Sequence, residues 1–403
     1  MASQARILHA ARCRLDVAMS GFRGRDHLPN AARVRLEDAS LDSFDRLIEQ
    51  AIEDRVDAVL LVGETVRAGD RSLRARRRLE AGLSRLDRGN IACVIACGGD
   101  DSPAVYRGMA LPESTGVLSP RHPAHAVETE QGRLNFCLVS DEEPDTGRVD
   151  SRDINIAVLP SPADRTSGAD AGELPDLFTG RGRSGGAAEY AYIALGGGRR
   201  VSTDVGDAVL QAPGALSPTS TSDVDAGSAT RVDFFGDGAV RTRPIACSPV
   251  ICRTLELSTV GVASVEDLAE AMSEMLPEAV DGLTVLTWRL SGGGSLAASL
   301  TADTWREAVE LADDAAGQNR IHRYVTPAAA ESPDEIAAML AEEYRDRLGR
   351  GDLDPRDEFE EVPPGDIADV LAEVAADPET MSRAMAIGAA AFSGDDRPLW
   401  DAA

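Results

Sequence analysis

Lysine is absent. All 41 cationic side chains among the 403 residues are arginine, set against 68 acids for a net charge of −27. So negative a surface repels phosphate backbones unless arginine gathers locally, which excludes indiscriminate coating of nucleic acid. Aromatic residues are scarce at 4%. No apolar run approaches the ~18 residues that a membrane span needs, and the opening MASQARILHAARCR lacks the unbroken apolar stretch of a secretory leader. The six cysteines, Cys13, Cys93, Cys97, Cys137, Cys247 and Cys252, form no CxxC spacing and read as buried, reduced thiols. These absences point to a cytoplasmic protein. What remains, 43% hydrophobic and 27% charged, is the composition of a globular chain of two or three domains.

The first hundred residues alternate in period. Apolar runs at 6–10, 58–62 and 91–96 read as buried strands, separated by helical spacing behind Ser40 as N-cap and again over 72–88. Strand, helix, strand, helix, strand with near-continuous apolar strands is the signature of a parallel sheet covered on both faces. Ligands in such sheets sit at the carboxyl ends of the strands. That directs attention to residues 11–16, 63–65 and 98–102. Further strands are expected at 134–139, 154–159, 190–195, 209–210 and 231–235, with a short helix near 174–178, and the first domain closes near residue 250. A helix from Ser264 to about 276, a strand at 283–290, a helix at 304–315 and a strand at 321–325 then make a small α/β domain, residues 251–330. Residues 331–403 form an acidic helical tail of 20 acids against 6 arginines, opened by a helix capped at Ser332.

Most formal motif matches fail on context. Gly180-Arg-Gly182-Arg-Ser-Gly185 fits GxGxxG without a preceding strand. Gly196-Gly-Gly198 follows a strand but lacks the Lys-Ser/Thr of a P-loop, and Ser291-Gly-Gly-Gly-Ser295 reads as a turn. His122 and His125 have no acid or Cys close by and read as a surface loop.

The order of the strand-end segments carries more. ARILHAARCRLDVAMSGF, VDAVLLVGETV, IACVIACGGDDSP, INIAVLPSP and YAYIALGGGRR followed by QAPGALSP resemble the backbone of the calcineurin-like metallophosphoesterases, more narrowly the SbcD/YhaO-type DNA repair exonuclease subunits. The resemblance spans nearly the whole chain. It implies a metallophosphoesterase-like β-sandwich flanked by helices over residues 1–250, a small α/β capping domain over 251–330 and a C-terminal helical tail over 331–403 that binds a partner. In that family two divalent cations, typically manganese, sit on carboxylate, His and Asn ligands after successive strands. The family's Asp-x-His falls here on Arg12 and Arg14, its Gly-Asp on Gly63-Glu64, and its Gly-Asn-His-Asp on Gly98-Gly99-Asp100-Asp101. Its lone His falls on Pro160, and its Gly-His-x-His on Gly196-Gly197-Gly198-Arg199. Only Glu64 keeps a coordinating side chain, so the expectation is that no metal cofactor is taken.

A degenerate site of Glu64, Asp100, Asp101 and Asp16 then remains, with Arg12, Arg14, Arg199 and Arg200 placed to neutralise it or to bind an anion. The functional expectation is a non-catalytic subunit working with an SbcC/YhaN-like coiled-coil ATPase, with possible dimerisation as in its relatives. Two alternatives stand beside it: a residual phosphodiesterase or exonuclease with a rebuilt site, and non-hydrolytic binding of phosphate or DNA ends through the arginines.

Overall fold

The computed structural model describes residues 3–20, 28–67, 72–98, 101–139, 153–160, 190–224, 226–278, 280, 282–291, 300–313 and 319–325. The chain divides into two compact units, Met1–Val325 and Thr326–Ala403. The second unit lies outside the described residues, and with it the helix expected behind Ser332. The helix expected near 174–178 lies outside them too.

Three parallel strands, β1 (Ala5–Ala11), β2 (Ala58–Val62) and β3 (Ala92–Ala96), form the centre of the first sheet, linked by α1 (Asn30–Asp54) and α2 (Leu73–Arg88). A short helix, α3 (Pro103–Tyr106), leads to β4 (Thr115–Leu118), which adds in parallel beside β3. The hairpin of β5 (Ala124–Thr129) and β6 (Gly132–Leu138) begins a second sheet, continued by β7 (Ile154–Leu159), β8 (Tyr192–Leu195), β9 (Arg200–Val205) and β10 (Ala208–Pro213). The chain then returns through β11 (Ser228–Phe234) and β12 (Val240–Ala246) to close the first sheet on its far edge. Strand order is β12-β11-β1-β2-β3-β4 in the first sheet and β5-β6-β7-β8-β10-β9 in the second.

Alternation along each strand explains how the two sheets meet. Ile7, Leu60 and Val94 point to one face of the first sheet and pack against Phe136, Ile156 and Tyr192 of the second. Leu8, Val59, Leu61 and Ile95 point the other way, onto Phe44, Leu47 and Ile48 of α1 and Leu79 and Leu83 of α2. The result is a mixed α/β sandwich whose first sheet carries helices on its outer face. Each fully buried Leu or Ile contributes roughly 1.5–3 kcal/mol, so these two layers dominate the stability of the fold.

A third sheet of parallel strands β13 (Val250–Ser258), β14 (Leu283–Ser291) and β15 (Arg320–Val325) follows, with α4 (Val265–Met275) and α5 (Ala302–Ala312). Trp288, Leu286 and Leu257 on one face meet Leu268, Met272, Trp305 and Val309 of the two helices. The opposite face, Cys252, Val285 and Ile321, packs on Met19 and on Ala32, Leu36 and Ala39 of α1. One long helix thus serves two cores, its first half on the third sheet and its second half on the first.

Three expectations change in detail. Ser40 is not the N-cap of α1: the helix starts ten residues earlier, and Ser40 is buried within it with Oγ donating to Val17 O at 3.1 Å. His125 is not in a surface loop but in β5, its ring against Gly116, where a Cβ would collide with it. The helix expected over 304–315 runs Ala302–Ala312, because Thr301 Oγ1 caps it by accepting from Thr304 N at 3.2 Å. Among the described residues no helix is long and apolar enough to cross a membrane.

Candidate functional site

The carboxyl ends of β1, β2 and β3 in the first sheet and of β7 and β8 in the second converge at one end of the sandwich. Backbone bonds tie them together: Arg12 N donates to Gly63 O at 3.2 Å, Gly63 N to Ala96 O at 2.8 Å, and Gly196 N to Leu159 O at 2.8 Å. Gly63 and Gly196 both press on the carbonyl of Pro160, where a Cβ on Gly63 would lie 2.5 Å from that oxygen and one on Gly196 would collide with it. Glycine is required at both points because backbone meets backbone there, between the two sheets at Gly63 and between neighbouring strands β7 and β8 at Gly196. Positions 12, 14, 63, 64, 160 and 196–198, widely separated in sequence, are therefore neighbours.

At the centre stands Glu64. Its Oε2 accepts from Arg12 Nε at 3.1 Å and from Arg14 Nε at 2.5 Å, with all three side chains largely buried. Charge-assisted bonds of this kind are about twice as strong as neutral ones. The three residues share a second property. Arg12, Arg14 and Glu64 have φ of 47°, 41° and 47°, in the left-handed region that side chains rarely adopt. Each such position costs on the order of 1–2 kcal/mol and persists only where surroundings enforce it. Here the backbone is pinned from both sides, by Arg14 N donating to Glu64 O at 2.9 Å and Glu64 N donating to Gly98 O at 3.3 Å. Gly198 makes room for the Arg12 guanidinium, since a Cβ there would strike Nη1.

Two further carboxylates lie close by. Asp101 is 5% exposed, and its Oδ2 accepts from Tyr106 Oη at 2.8 Å and from Thr65 N at 3.1 Å. Burial pushes its carboxyl up to about 7; the Tyr106 and Thr65 hydrogen bonds oppose that, while the charges of Glu64 and Asp16 add to it. The Asp16 side chain is buried and accepts from Arg67 N at 3.3 Å, with Arg67 Nε 3.6 Å from Oδ2. Sequence reasoning missed Tyr106, Thr65 and Arg67 as partners. The signal for Tyr106 was local, a Ser102-Pro103 helix start whose Ser102 Oγ accepts from Ala104 N and turns Tyr106 back toward Asp101.

The remaining candidates sit differently. Arg199 and Arg200 are exposed at the start of β9, and Arg200 Nη2 donates to Ser228 Oγ at 2.6 Å. Pro160 and Gly197 lie at the convergence, Gly197 with φ 104°. Gly99 and Asp100 lie outside the described residues.

No protein-family model matches the chain. Over 127 residues it is 28% identical to the uncharacterized metallophosphoesterase YhaO of Bacillus subtilis (strain 168), a match covering 31% of this chain and 30% of that protein. Over those 127 residues the chain resembles a metallophosphoesterase. It spans under a third of the length of that curated relative. Among solved structures it is similar to TT1561 of Thermus thermophilus, with a TM-score of 0.36 and 12% identity over 59% of this chain and 98% of that one. It is also similar to a dimetal phosphatase from Danio rerio, with a TM-score of 0.35 and 12% identity over 61% of this chain and 100% of that one. Likeness at that level assigns no activity.

The sequence likeness corrects one expectation. A relative named as a metallophosphoesterase implies metal cofactors, because such chemistry relies on cations to bind phosphoryl oxygens and activate water, so the expectation that none is taken does not stand. The described side chains are a separate matter. Among the described residues no group of three or more His, Cys, Asp and Glu is placed to hold a metal ion. Glu64 Oε2 is taken by two guanidinium groups and Asp101 Oδ2 by Tyr106 and Thr65. His9 points into the sandwich, its Nδ1 2.9 Å from Tyr192 Oη, and burial pushes it down to about 3. These residues do not fit a two-metal centre, and no reaction step is derived through one.

Proposed function

We propose that the chain is an SbcD/YhaO-like DNA repair subunit that acts without cutting, as the partner of an SbcC/YhaN-like coiled-coil ATPase. The observation that carries this reading is the placement of Arg12 and Arg14 on one oxygen of Glu64. Phosphodiester hydrolysis needs a positioned water, a group to accept its proton and charge stabilisation at the leaving oxygen. Glu64 Oε2 already balances two guanidinium groups and Asp101 Oδ2 is held by two protein donors, so those two oxygens are not offered to an attacking water. In this reading residues 251–330 cap the site and residues 331–403 grip the partner.

A second reading, non-hydrolytic binding of phosphate or DNA ends, draws support from the exposure of Arg199 and Arg200 beside the paired arginines. Guanidinium forks suit phosphate oxygens, and a local cluster can overcome an unfavourable global field.

The test is degradation of end-labelled single- and double-stranded DNA by the full chain with added manganese. The expected result is that wild type and Glu64→Gln both remain at the level of buffer. Manganese-dependent degradation that Glu64→Gln abolishes overturns the reading in favour of a rebuilt catalytic site.

A further inference from the structure

On the face of the third sheet that packs on α1, an apolar row of side chains gives way to a polar one. We propose that the polar row binds a phosphate-class oxyanion, held by the Arg323 guanidinium with the hydroxyls of Thr287 and Thr221. The inference does not rest on the reading of the strand-end site.

Register places the parts. Cys252, Val285 and Ile321 form one row across β13, β14 and β15, and this row packs beneath α1. Two residues further along each strand, on the same face, the row is Thr254, Thr287 and Arg323. The face therefore changes from apolar to polar within one step, and the polar row adjoins residues 219–223. Arg323 Nη1 donates to Thr221 Oγ1, and Cys252 Sγ donates to Ser220 O at 3.7 Å.

Arg323 is half-buried, yet among the described residues no carboxylate pairs with it. Arg320, on the same strand, shows the usual solution for such a group, with Nη1 on Asp313 Oδ1 at 2.7 Å. Removing a guanidinium from water without an anion is costly, and its planar fork of five N–H donors matches an oxyanion. Thr287 adds a second, independent sign. It is 7% exposed, and its Oγ1 has no hydrogen-bond partner. Buried hydroxyls are normally satisfied, so an orphan one in register with a guanidinium that no described carboxylate pairs marks an acceptor that the described residues do not supply.

The neighbouring charges permit an anion. The Cys252 thiol is pushed up to about 12, chiefly by burial, and is neutral. Among the described residues, Asp223 is a carboxylate of the adjoining 219–223 segment, and its Oδ2 is committed to Thr219 N at 2.9 Å, Thr219 Oγ1 at 3.1 Å and Ser220 N at 3.0 Å.

Titration of the full chain with inorganic phosphate against chloride at matched ionic strength, read by calorimetry and by thermal midpoint, tests the proposal. Wild type should bind and shift upward. Arg323→Gln should weaken phosphate binding about tenfold, as expected for loss of a charge-assisted donor, with Thr287→Val weaker than wild type and Arg323→Lys intermediate. A 5′-phosphorylated oligonucleotide run in parallel separates the sources: binding that depends on Arg323 assigns nucleic-acid phosphate, and a response to inorganic phosphate alone assigns the small anion. Far-UV circular dichroism checks that each variant folds; should Arg323→Gln fail to fold, Thr287→Val and Arg323→Lys carry the comparison. Undiminished binding in the folded variants, or no binding of either probe by wild type, overturns the proposal.

Discussion

At position 64 two demands on one residue can be separated. The side chain balances Arg12 and Arg14, and the backbone at φ 47° is one that glycine adopts at no cost. Glu64→Ala and Glu64→Gly both remove the carboxylate and leave two largely buried guanidinium groups facing each other, which should cost about 2–4 kcal/mol. Only alanine retains the left-handed strain. The glycine variant should therefore be the more stable of the two by about 1 kcal/mol, read from urea midpoints at equal slope. If alanine proves equal or better, the backbone at this point is not held in the left-handed region, and the pinning by Gly98 O and Arg14 N is looser than the distances imply. The residue scale is also where sequence reading was weakest. That Glu64 lies near Arg12 and Arg14 follows from strand order, but Tyr106 and Thr65 on Asp101, and Arg67 on Asp16, depend on loop paths that no periodicity encodes.

At the scale of elements, the third sheet contains a hydrogen-bond chain whose direction is fixed by chemistry. Trp288 Nε1 can only donate, so His322 Nδ1 accepts it at 3.2 Å and the ring proton sits on Nε2, donated to Asp313 Oδ2 at 2.8 Å. Arg320 completes the chain, with Nη1 on Asp313 Oδ1 at 2.7 Å and Nη2 on Pro277 O at 2.9 Å. Burial holds His322 below its ordinary 6.5; Asp313 opposes this and Arg320 reinforces it. A depressed folded value means that the unfolded chain binds more protons, so stability is intact above about pH 6.5 and falls as pH drops toward the lowered value. His9, pushed down to about 3 inside the sandwich, acts in the same sense. Asp101, raised to about 7, acts oppositely and loses stability as pH rises. The informative quantity is therefore a difference between chains. His322→Gln should be less stable than wild type at pH 7.5 by about 1–3 kcal/mol for the broken buried network, and that gap should narrow by pH 5. A constant gap would show that His322 is not held neutral.

The same elements show what the sequence makes legible. Strands β2, β3 and β7 are buried throughout or nearly so and read as unbroken apolar runs, and α2 and α4 announce themselves through Ser72 and the Ser264–Asp267 capping box. Strands β5, β9 and β12 carry mostly exposed or half-buried side chains at or next to sheet edges, so neither alternation nor an apolar run marks them. The first half of α1 was hidden for a related reason. It buries Ala32, Leu36 and Ala39 against a sheet that occurs two hundred residues later, and small residues at that spacing give little signal until the partner is known.

Across the whole molecule the negative excess and the ion pairs respond to salt in opposite ways. The α1–α2 surface is laced by pairs such as Arg74–Asp38 at 2.7 Å and Arg78–Asp45 at 3.2 Å, and Arg231 and Arg243 converge on Asp54. The exposed pairs of α1 and α2 contribute roughly 0–1 kcal/mol each, and screening removes only part of that. Self-repulsion from a net charge of −27 acts over longer distances and is relieved as the screening length falls from about 30 Å at 0.01 M to about 8 Å at 0.15 M salt. Repulsion should win. The thermal midpoint is expected to rise by about 1–2 °C between 10 and 300 mM sodium chloride, on the order of 1 kcal/mol for a chain this size, with the steepest change at the low end where screening acts before salt-specific effects enter. A midpoint that falls over that range would mean that the arginine–carboxylate lacing outweighs the global excess, and that the absence of lysine reflects a fold held by guanidinium pairs more than a surface tuned for solubility.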